Sequence, residues 1–411
     1  MTTPQHHDIV VIGAGIAGSS IASELLERGQ AVCIVDSAPH PASACSSHAY
    51  AIAHPHVGRG APRLLRLTRI AFLMAEARWG KAWNQHGIFQ PNKKDKPFNR
   101  DDVTSYLRSL DLNEGLAQAL DADAAMQACG IYQDGIWLSR GASLNLLEAT
   151  QDALVPHPKL TCCWNTFVTR LEKVDAGWRL MDSQDKTIMT AGKVIIAAAL
   201  ETKRLAASIE VRLPLRPVRG QLSIFSIDEN SSWALKLPRT AISGEGYCLP
   251  AKKLADGTYQ WIVGSSFDEG ESDLQDWDAS DDFNREQAKG LLNYPEGDVD
   301  QLQKSGSFVG VRCVAGDRLP IIGALTQCPG IFLATALGSR GALWSALAAK
   351  LITAQVLEDD LALLARLGFA ADLVAALAPA RFFAGALVAA PALGAFASNS
   401  KPILPSAPKA R

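Results

Sequence analysis

Long apolar runs and short alternating ones divide the chain into two kinds of region. Near the N-terminus, the run Ile9–Ile12 is uniformly β-branched and apolar, as in a strand buried on both faces of a parallel sheet. A glycine-rich turn, a helical pattern ending at Gly29 and a second apolar run ending at Asp36 follow. This order predicts a βαβ unit over residues 8–36.

The final third of the chain returns to the same pattern, while the middle does not. "GIFLATAL" predicts a strand, "GSRG" a glycine turn and "ALWSALAAKLITAQVL" a helix. Between them, residues 214–308 show short strand-like runs separated by turn residues. We therefore predict an α/β (α+β overall) fold in which a nucleotide-binding domain is interrupted by a second domain with an antiparallel sheet. The expected division is 1–60, 141–213 and 306–375 for the first domain, 61–140 and 214–305 for the second, and 376–411 for a C-terminal helix remnant and flexible tail.

Composition limits the function classes. The 411 residues are 48% hydrophobic and 20% charged, with a net charge of −2, so a folded protein is expected and binding of nucleic acid would need a local basic patch. Eight scattered cysteines without CxxC spacing and no signal-like N-terminus indicate a cytoplasmic protein. The apolar segment 361–397 is interrupted by charges and Pro391, so no stable membrane association is expected.

A dinucleotide-binding fingerprint lies in the predicted turn. Its glycines allow a tight turn, close approach of the backbone to a pyrophosphate, and close helix–strand packing, and the helix N-terminus favours an anion. Asp36 is placed to accept hydrogen bonds from ribose hydroxyls. The motif does not separate FAD from NAD, but its N-terminal position together with the distant C-terminal glycine turn favours FAD. The cofactor-binding candidates in this motif are Gly13, Gly15, Ile16, Ala17, Gly18 and Asp36.

Several stretches, in order, resemble the glycine oxidase and D-amino-acid oxidase class of flavoproteins. They are "ACSSHAYAIAHP", "PVRGQLS", "VGSSFDEGESD", "GVRCVAGDRLPIIG" and "GSRGALWSALAAKLITAQ". Within that class, the chain is most similar to the FAD-dependent C-terminal domain of bifunctional tRNA 5-methylaminomethyl-2-thiouridine biosynthesis proteins. The resemblance implies a Rossmann-like FAD-binding domain interrupted by a substrate domain.

The resemblance also implies a reaction. The carboxymethyl group of 5-carboxymethylaminomethyl-(2-thio)uridine at tRNA wobble position 34 would be removed oxidatively, giving the aminomethyl form and glyoxylate. A separate methyltransferase would then act downstream. The alternative is an FAD-dependent oxidase or dehydrogenase of free glycine, sarcosine or D-amino acids.

By the same resemblance, the catalytic candidates are Arg312, Arg340 and Tyr247. A bidentate arginine would hold the substrate carboxylate, with Arg312 as the first candidate and Arg340 as the second. The alternative for Arg312 is a structural ion pair with Asp317 or another acid, and the alternative for Tyr247 is an ordinary half-buried strand residue. Asp317 and Arg318 are expected in a turn near the flavin, or in a simple solvated turn.

Further cofactor contacts follow from the resemblance. Ser46, Ser47 and Val168 are expected at the FAD, as are Gly338, Gly341 and Ala342, where the start of the last long helix would stabilise negative charge on the flavin. Two positions depart from the family pattern: "ACSSH" at 44–48, and Leu200 where a glycine is usual. Arg219 is expected either to contact the cofactor or to brace the two domains.

The candidate tRNA surface is a basic helix and loop. It comprises Arg63, Arg66, Arg69, Lys81, Lys93, Lys94 and Lys96, with Trp79 and Trp83 as stacking rings or as core residues. A solvated charged face is the competing interpretation. "HPH" at 54–56 suggests no third ligand, so no metal is expected.

Overall fold

The computed structural model of the chain describes residues 4–58, 60–93, 96–234, 237–292, 302–358 and 368–383. Its helices are α1 Ile16–Glu27, α2 Pro62–Trp79, α3 Arg100–Ser109, α4 Ala122–Cys129, α5 Leu146–Asp152, α6 Thr202–Ala207, α7 Asp278–Leu292, α8 Gly341–Val356 and α9 Ala371–Leu377. Its strands are β1 Gln5–Ile12, β2 Val32–Val35, β3 Ala51–Ala53, β4 Trp83–Gln85, β5 Ile88–Pro91, β6 Gln118–Leu120, β7 Gly135–Leu138, β8 Ala142–Leu144, β9 Leu160–Cys163, β10 Arg170–Val174, β11 Gly177–Met181, β12 Thr187–Ile196, β13 Leu215–Ile227, β14 Ala241–Gly244, β15 Gly246–Cys248, β16 Lys252–Lys253, β17 Tyr259–Gly264, β18 Asp268–Glu269, β19 Gln303–Ala315, β20 Ile321–Ala324 and β21 Ile331–Thr335.

The first sheet contains the βαβ unit. Strands β9, β2, β1, β12 and β21 lie side by side and pair in parallel, and β10, β11 and β20 add antiparallel pairs. Helices α1 and α8 pack against each other. Val10 and Val11 are both fully buried, so both faces of β1 are covered. The apolar run that predicted this strand is therefore explained by burial on two sides.

The second sheet is mixed and largely antiparallel, and the long strand β13 lies near one end of it. On one edge β13 pairs with β19 over nearly its whole length, and on the other with β17 and β18. The rest of the sheet continues through β15, β14, β5, β7 and β6. A third, small sheet pairs β8 with β3 and β4. Strands β3 and β8 come from segments predicted for the first domain, and β4 comes from a segment predicted for the second. The predicted α/β (α+β overall) fold class is confirmed.

One local prediction differs from the structure. Helix α7 was not predicted within the strand-rich middle segment; it buries the polar residues Asp281 and Asn284, which hides its helical apolar period. Lys94, 361–367 and 384–411, and with them most of the apolar segment and the tail, lie outside the described residues. Among the residues that the structure describes, no helix has the length and apolar character that a bilayer crossing requires.

Candidate active site

The dinucleotide turn has the geometry that its glycines require. Gly13 follows β1 at a φ of +105°, and a side chain there would collide with the Ala197 carbonyl. A Cβ on Gly18 would collide with the Gly13 carbonyl, so the helix can approach the turn this closely only with glycine at 18. Gly15 is the N-cap of α1 and offers no side-chain cap, while Ile16 and Ala17 begin the helix and are buried. The N-terminus of α1 is thus shaped to receive an anion.

Two side chains border this turn. The Asp36 carboxylate accepts hydrogen bonds from the N–H groups of Ala14 (2.6 Å) and Ala38 (2.8 Å), which fixes it at the end of β2. Ser46, in the one-turn 3₁₀ helix Cys45–Ser47, accepts a hydrogen bond from the Ile16 N–H at 2.9 Å. Ser46 therefore lies at the N-terminus of α1 despite the unusual sequence around it. Ser47 is beside it in the same turn.

The edge beyond Asp36 is formed by the segment that contains Val168. This residue is buried, and its carbonyl accepts a hydrogen bond from Arg204 Nη2 at 2.9 Å. The backbone conformation that suits glycine falls on Ala199, at a φ of +48°, and not on its neighbour Leu200. In this chain the left-handed backbone conformation is therefore required at Ala199 and not at Leu200.

The start of α8 lies next to the start of α1. A Cβ on Gly341 would be 3.7 Å from the Ile16 side chain. Gly338 has a φ of +56° in the turn before α8, and Ala342 is buried in its first turn. No side chain caps α8. The two helix N-termini consequently present N–H groups and positive dipole ends to one region.

Arg312 is a half-buried cation that has no carboxylate partner among the described residues. It lies on β19 and reaches across Gly220 of β13, where a Cβ would overlap its guanidinium. Its Nη2 donates to Ser265 Oγ at 2.6 Å, and Nη1 makes longer contacts to the carbonyls of Arg219 (3.3 Å) and Ser266 (3.5 Å). Burial lowers the pKa of Arg312. Such a cation favours an incoming anion.

The alternative role for Arg312 is wrong, because Asp317 pairs elsewhere. Both oxygens of Asp317 accept hydrogen bonds from Arg381, at 2.7 and 3.1 Å. Arg318 is mostly exposed and forms an ion pair with Glu269 at 3.1 Å. Asp317 and Arg318 therefore belong to the surface turn between β19 and β20.

Arg340 is a second guanidinium without a hydrogen-bond or ion-pair partner for its side chain in the described part of the chain. Burial lowers its pKa. Burial, and then the charge of Arg340, also lower the pKa of His54 and His56 to about 4, so both imidazoles are neutral at neutral pH. His54 Nε2 lies 3.1 Å from Ser243 Oγ, and its Nδ1 lies 2.9 Å from the Pro55 carbonyl. No group of three His, Cys, Asp or Glu side chains within the described ranges is arranged to bind a metal.

Tyr247 and His48 face Arg312 from two other segments. The Tyr247 hydroxyl donates to the Tyr50 carbonyl at 3.0 Å, and burial raises its pKa well above the ordinary value. His48 Nδ1 accepts a hydrogen bond from the Tyr50 N–H at 3.2 Å. The proton of the neutral ring is therefore on Nε2, which is a hydrogen-bond donor on the opposite side of the ring. Burial, and then Arg312, lower the pKa of His48 to about 4. Three polar side chains thus lie around Arg312: Tyr247, His48 and Ser265. Arg340 lies instead near His54 and His56.

Arg219 is a brace and not a cofactor contact. Strand alternation puts it on the face of β13 opposite to Gly220 and Arg312. It is fully buried, stacks on Trp277 at 3.9 Å, and donates hydrogen bonds to Asp268 at 3.0 Å and to other oxygens of residues 273–280. The segment between β17 and α7, residues 265–277, is held on the sheet by this side chain. We call this segment the strap.

The basic helix and loop are less available than the sequence suggested. Trp79 is buried and donates to the Ala342 carbonyl, and Trp83 packs on Phe72, so neither ring is an exposed stacking surface. Ion pairs occupy Arg66 with Asp372 (2.9 Å), Arg69 with Asp111 (2.8 Å) and Lys93 with Glu245 (2.7 Å). Arg63, Lys81 and Lys96 remain as surface candidates. Pairing with acids lowers the positive potential of this patch.

Comparison with known proteins supports the same cofactor chemistry. The family model "FAD dependent oxidoreductase" matches residues 8–355. The chain belongs to this family. Among its relatives, a tRNA 5-methylaminomethyl-2-thiouridine biosynthesis bifunctional protein MnmC from Ralstonia nicotianae is 32% identical over 418 residues, covering 93% of this chain. The chain spans 61% of that relative's length.

Solved structures share the fold. Glycine oxidase from Geobacillus kaustophilus has a TM-score of 0.67 at 19% identity, covering 87% of this chain and 96% of its own. An L-alpha-glycerophosphate oxidase from Mycoplasma pneumoniae with FAD bound has a TM-score of 0.68 at 14% identity, covering 86% and 95%. The FAD dependent oxidoreductase family takes FAD as its cofactor. The residues present fit it, since neither helix has a side-chain cap from its own N-cap residue and the turn at Gly13 has no room for a Cβ, while Ser46 and Asp36 border the turn with polar groups.

Sequence reasoning missed several residues of the site. Ser265 and His48 lie in stretches that the resemblance covers, but their orientation toward Arg312 depends on strand pairing. Gly220 carried a signal, because a glycine beside a buried arginine on a neighbouring strand often makes room for a side chain. That signal is readable only once the register of β13 and β19 is known.

Proposed function

We propose that this FAD-dependent oxidoreductase oxidises a substrate whose amine nitrogen carries a carboxymethyl group, and that Arg312 holds the carboxylate. The observation that carries the proposal is the guanidinium of Arg312, which lies near Tyr247 and His48 and has no acidic partner in the described structure. Burial removes water from the Arg312 guanidinium, and a bound carboxylate would replace that water with charge-assisted hydrogen bonds.

The chain's own residues position the substrate. Arg312 and the proton on His48 Nε2 converge on a carboxylate, and Tyr247, tied to Tyr50, closes one wall. Gly13–Gly18 and the start of α8 would hold the FAD, which would supply the acceptor for a hydride from the carbon next to nitrogen. Loss of that hydride and of the N–H proton leaves an imine. Water then splits the imine into glyoxylate and a primary amine.

We further propose that the carboxymethyl group is that of 5-carboxymethylaminomethyl-(2-thio)uridine at tRNA position 34. The support is the Ralstonia relative, whose name assigns it to tRNA 5-methylaminomethyl-2-thiouridine biosynthesis. On this proposal the protein works in the cytoplasm, and methylation of the resulting amine is the task of a methyltransferase activity outside the described domain. Arg63, Lys81 and Lys96 are the proposed phosphate contacts.

A second candidate is oxidation of free glycine, sarcosine or D-amino acids. The observation that favours it is the pairing of Arg66, Arg69 and Lys93 with acids, which leaves a weakly basic surface. This second candidate reaction would use the same Arg312 site. Its substrates differ in the group attached to the amine nitrogen, which is a tRNA base in the first candidate.

One experiment separates the two. The FAD-loaded protein is mixed anaerobically with an anticodon stem–loop bearing the modified uridine, and separately with sarcosine, glycine and D-alanine, while flavin absorbance is followed. Rapid bleaching by the RNA, with glyoxylate and the aminomethyl nucleoside as products, is the expected result. Bleaching by free amino acids alone would establish the second candidate instead.

A further inference from the structure

An exposed aromatic ring lies at the edge of the Arg312 site. Phe267 follows Ser265 and Ser266 in the strap, and its ring centroid is 5.4 Å from the Arg312 guanidinium carbon. The side chain is 44% exposed. Of the large apolar side chains exposed in the described ranges, it is the one that contacts Arg312. We propose that Phe267 is the platform on which the aromatic ring of the substrate stacks.

The ring is held in place from both sides. Before it, Ser265 Oγ accepts from Arg312, and the Ser266 N–H donates to the Gln221 carbonyl at 3.1 Å. After it, Asp268 accepts from Ser266 Oγ at 2.8 Å and from the buried Arg219 at 3.0 Å. A ring whose neighbours are fixed loses little conformational freedom when a ligand stacks on it. Exposure of this ring therefore reflects a fixed surface and not a loose loop.

The substrate arm has the right length for this arrangement. The proposal rests on the proposed function, in which Arg312 holds the carboxylate. Between that carboxyl carbon and the base, the CH2–NH–CH2 arm contributes four single bonds, which span roughly 5 Å when extended. The ring carried by the arm thus comes within stacking range of an aromatic surface that lies 5.4 Å from the guanidinium.

The charge of the strap selects the base and not the backbone of a nucleic acid. The strap contains no basic residue. Its Asp268 is paired with the buried Arg219, and its Glu269 with Arg216 and Arg318, which leaves Glu271 and Asp273 without an ion pair among the described residues. This remaining negative charge disfavours phosphate groups beside Phe267. A wobble base must therefore be turned out of its stack to reach Phe267, with its sugar and phosphates directed away from the strap. Free glycine and sarcosine carry no ring and gain nothing from this surface.

The test uses two ligands that cannot form the imine because sulfur replaces the amine nitrogen: (benzylthio)acetate, with the aromatic ring, and (methylthio)acetate, without it. Their affinities for the FAD-loaded protein are measured by calorimetry. We expect the aromatic ligand to bind more tightly, and F267L to reduce that preference by roughly 5- to 100-fold, the range of base–aromatic stacking. F267Y should keep the preference. F167L, which changes a comparably exposed ring next to Arg204, is the matched control and should also keep it.

Three results would overturn the platform: no preference for the aromatic ligand in the wild type, equal weakening of both ligands by F267L, or no binding of either ligand. The third would also remove the proposed role of Arg312. Failure of the RNA proposal looks different. The stem–loop would then not bleach the flavin, while the aromatic preference and its loss in F267L would persist.

Discussion

Replacing Arg312 by methionine should separate stability from function. The side chain makes one short hydrogen bond, to Ser265 at 2.6 Å, and two contacts of 3.3 and 3.5 Å to carbonyls. Hydrogen bonds from a charged group contribute about 1.5–3 kcal/mol each when well formed. Against this stands the desolvation of an uncompensated cation, which costs several kcal/mol. We expect the two to cancel, so the free energy of unfolding should change by no more than about 1 kcal/mol.

Activity should respond very differently. Removing one partner of a desolvated charge pair costs about 2–5 kcal/mol of binding, which corresponds to a fall in kcat/KM of roughly 30- to 4,000-fold. Urea unfolding measures the first effect and anaerobic flavin reduction measures the second, with flavin absorbance reporting retained FAD. R318M is the control, since that arginine is 64% exposed and its surface ion pair contributes about 0–1 kcal/mol. Destabilisation by more than about 3 kcal/mol, or an unchanged kcat/KM, would refute the reasoning.

Three further changes test the surrounding structure. R219M should lower the free energy of unfolding by about 3 kcal/mol or more, because it leaves buried oxygen acceptors without a donor. If urea titration shows a loss as small as that of R312M, Arg219 does not hold the strap on the sheet. A199G should raise the free energy of unfolding by about 0.5–1 kcal/mol, since residue 199 has a φ of +48°, which glycine adopts more easily than alanine. A decrease would argue against that backbone conformation. Because burial lowers the pKa of His48, His54 and His56 to about 4 from 6.5, the unfolded state binds more protons between these values. The free energy of unfolding should then fall as the pH falls from 6.5 toward 4, and the fall should be shallower in H56N. Urea midpoints that do not change with pH over this window would show that these histidines are not held neutral by burial.

The acidic strap shows how burial can reverse a sequence-based expectation. The sequence predicted a ligand contact for Arg312 and either a cofactor contact or a brace for Arg219, which lies next to a glycine in a stretch shared with flavoproteins. In the sheet they lie on opposite faces, because Arg312 pairs with Val218 and side chains alternate along β13. Arg219 is then fully buried and donates to many oxygens of the strap. Arg312 contacts only the start of the strap, at Ser265, Ser266 and Phe267, and has no acidic partner among the described residues.

The sequence by itself determined the βαβ unit, the glycine turn and Asp36. These features follow from local rules, since a strand buried on both faces and a glycine that must adopt a positive φ are visible in a short stretch. The choice of FAD came from the series of motifs along the whole chain. The helix α7, hidden by its buried polar residues, was not visible in this way.

Only the tertiary structure decided which charges are free. Asp317 is paired with Arg381, more than sixty residues away, and Arg66 with Asp372, more than three hundred away. Such pairings depend on how distant segments meet, and no local pattern encodes them. The same long-range register leaves Arg312 without an acid and places Phe267 beside it. The chemistry of this site therefore arises from contacts between β13, β19 and the strap, which the order of residues along the chain does not reveal.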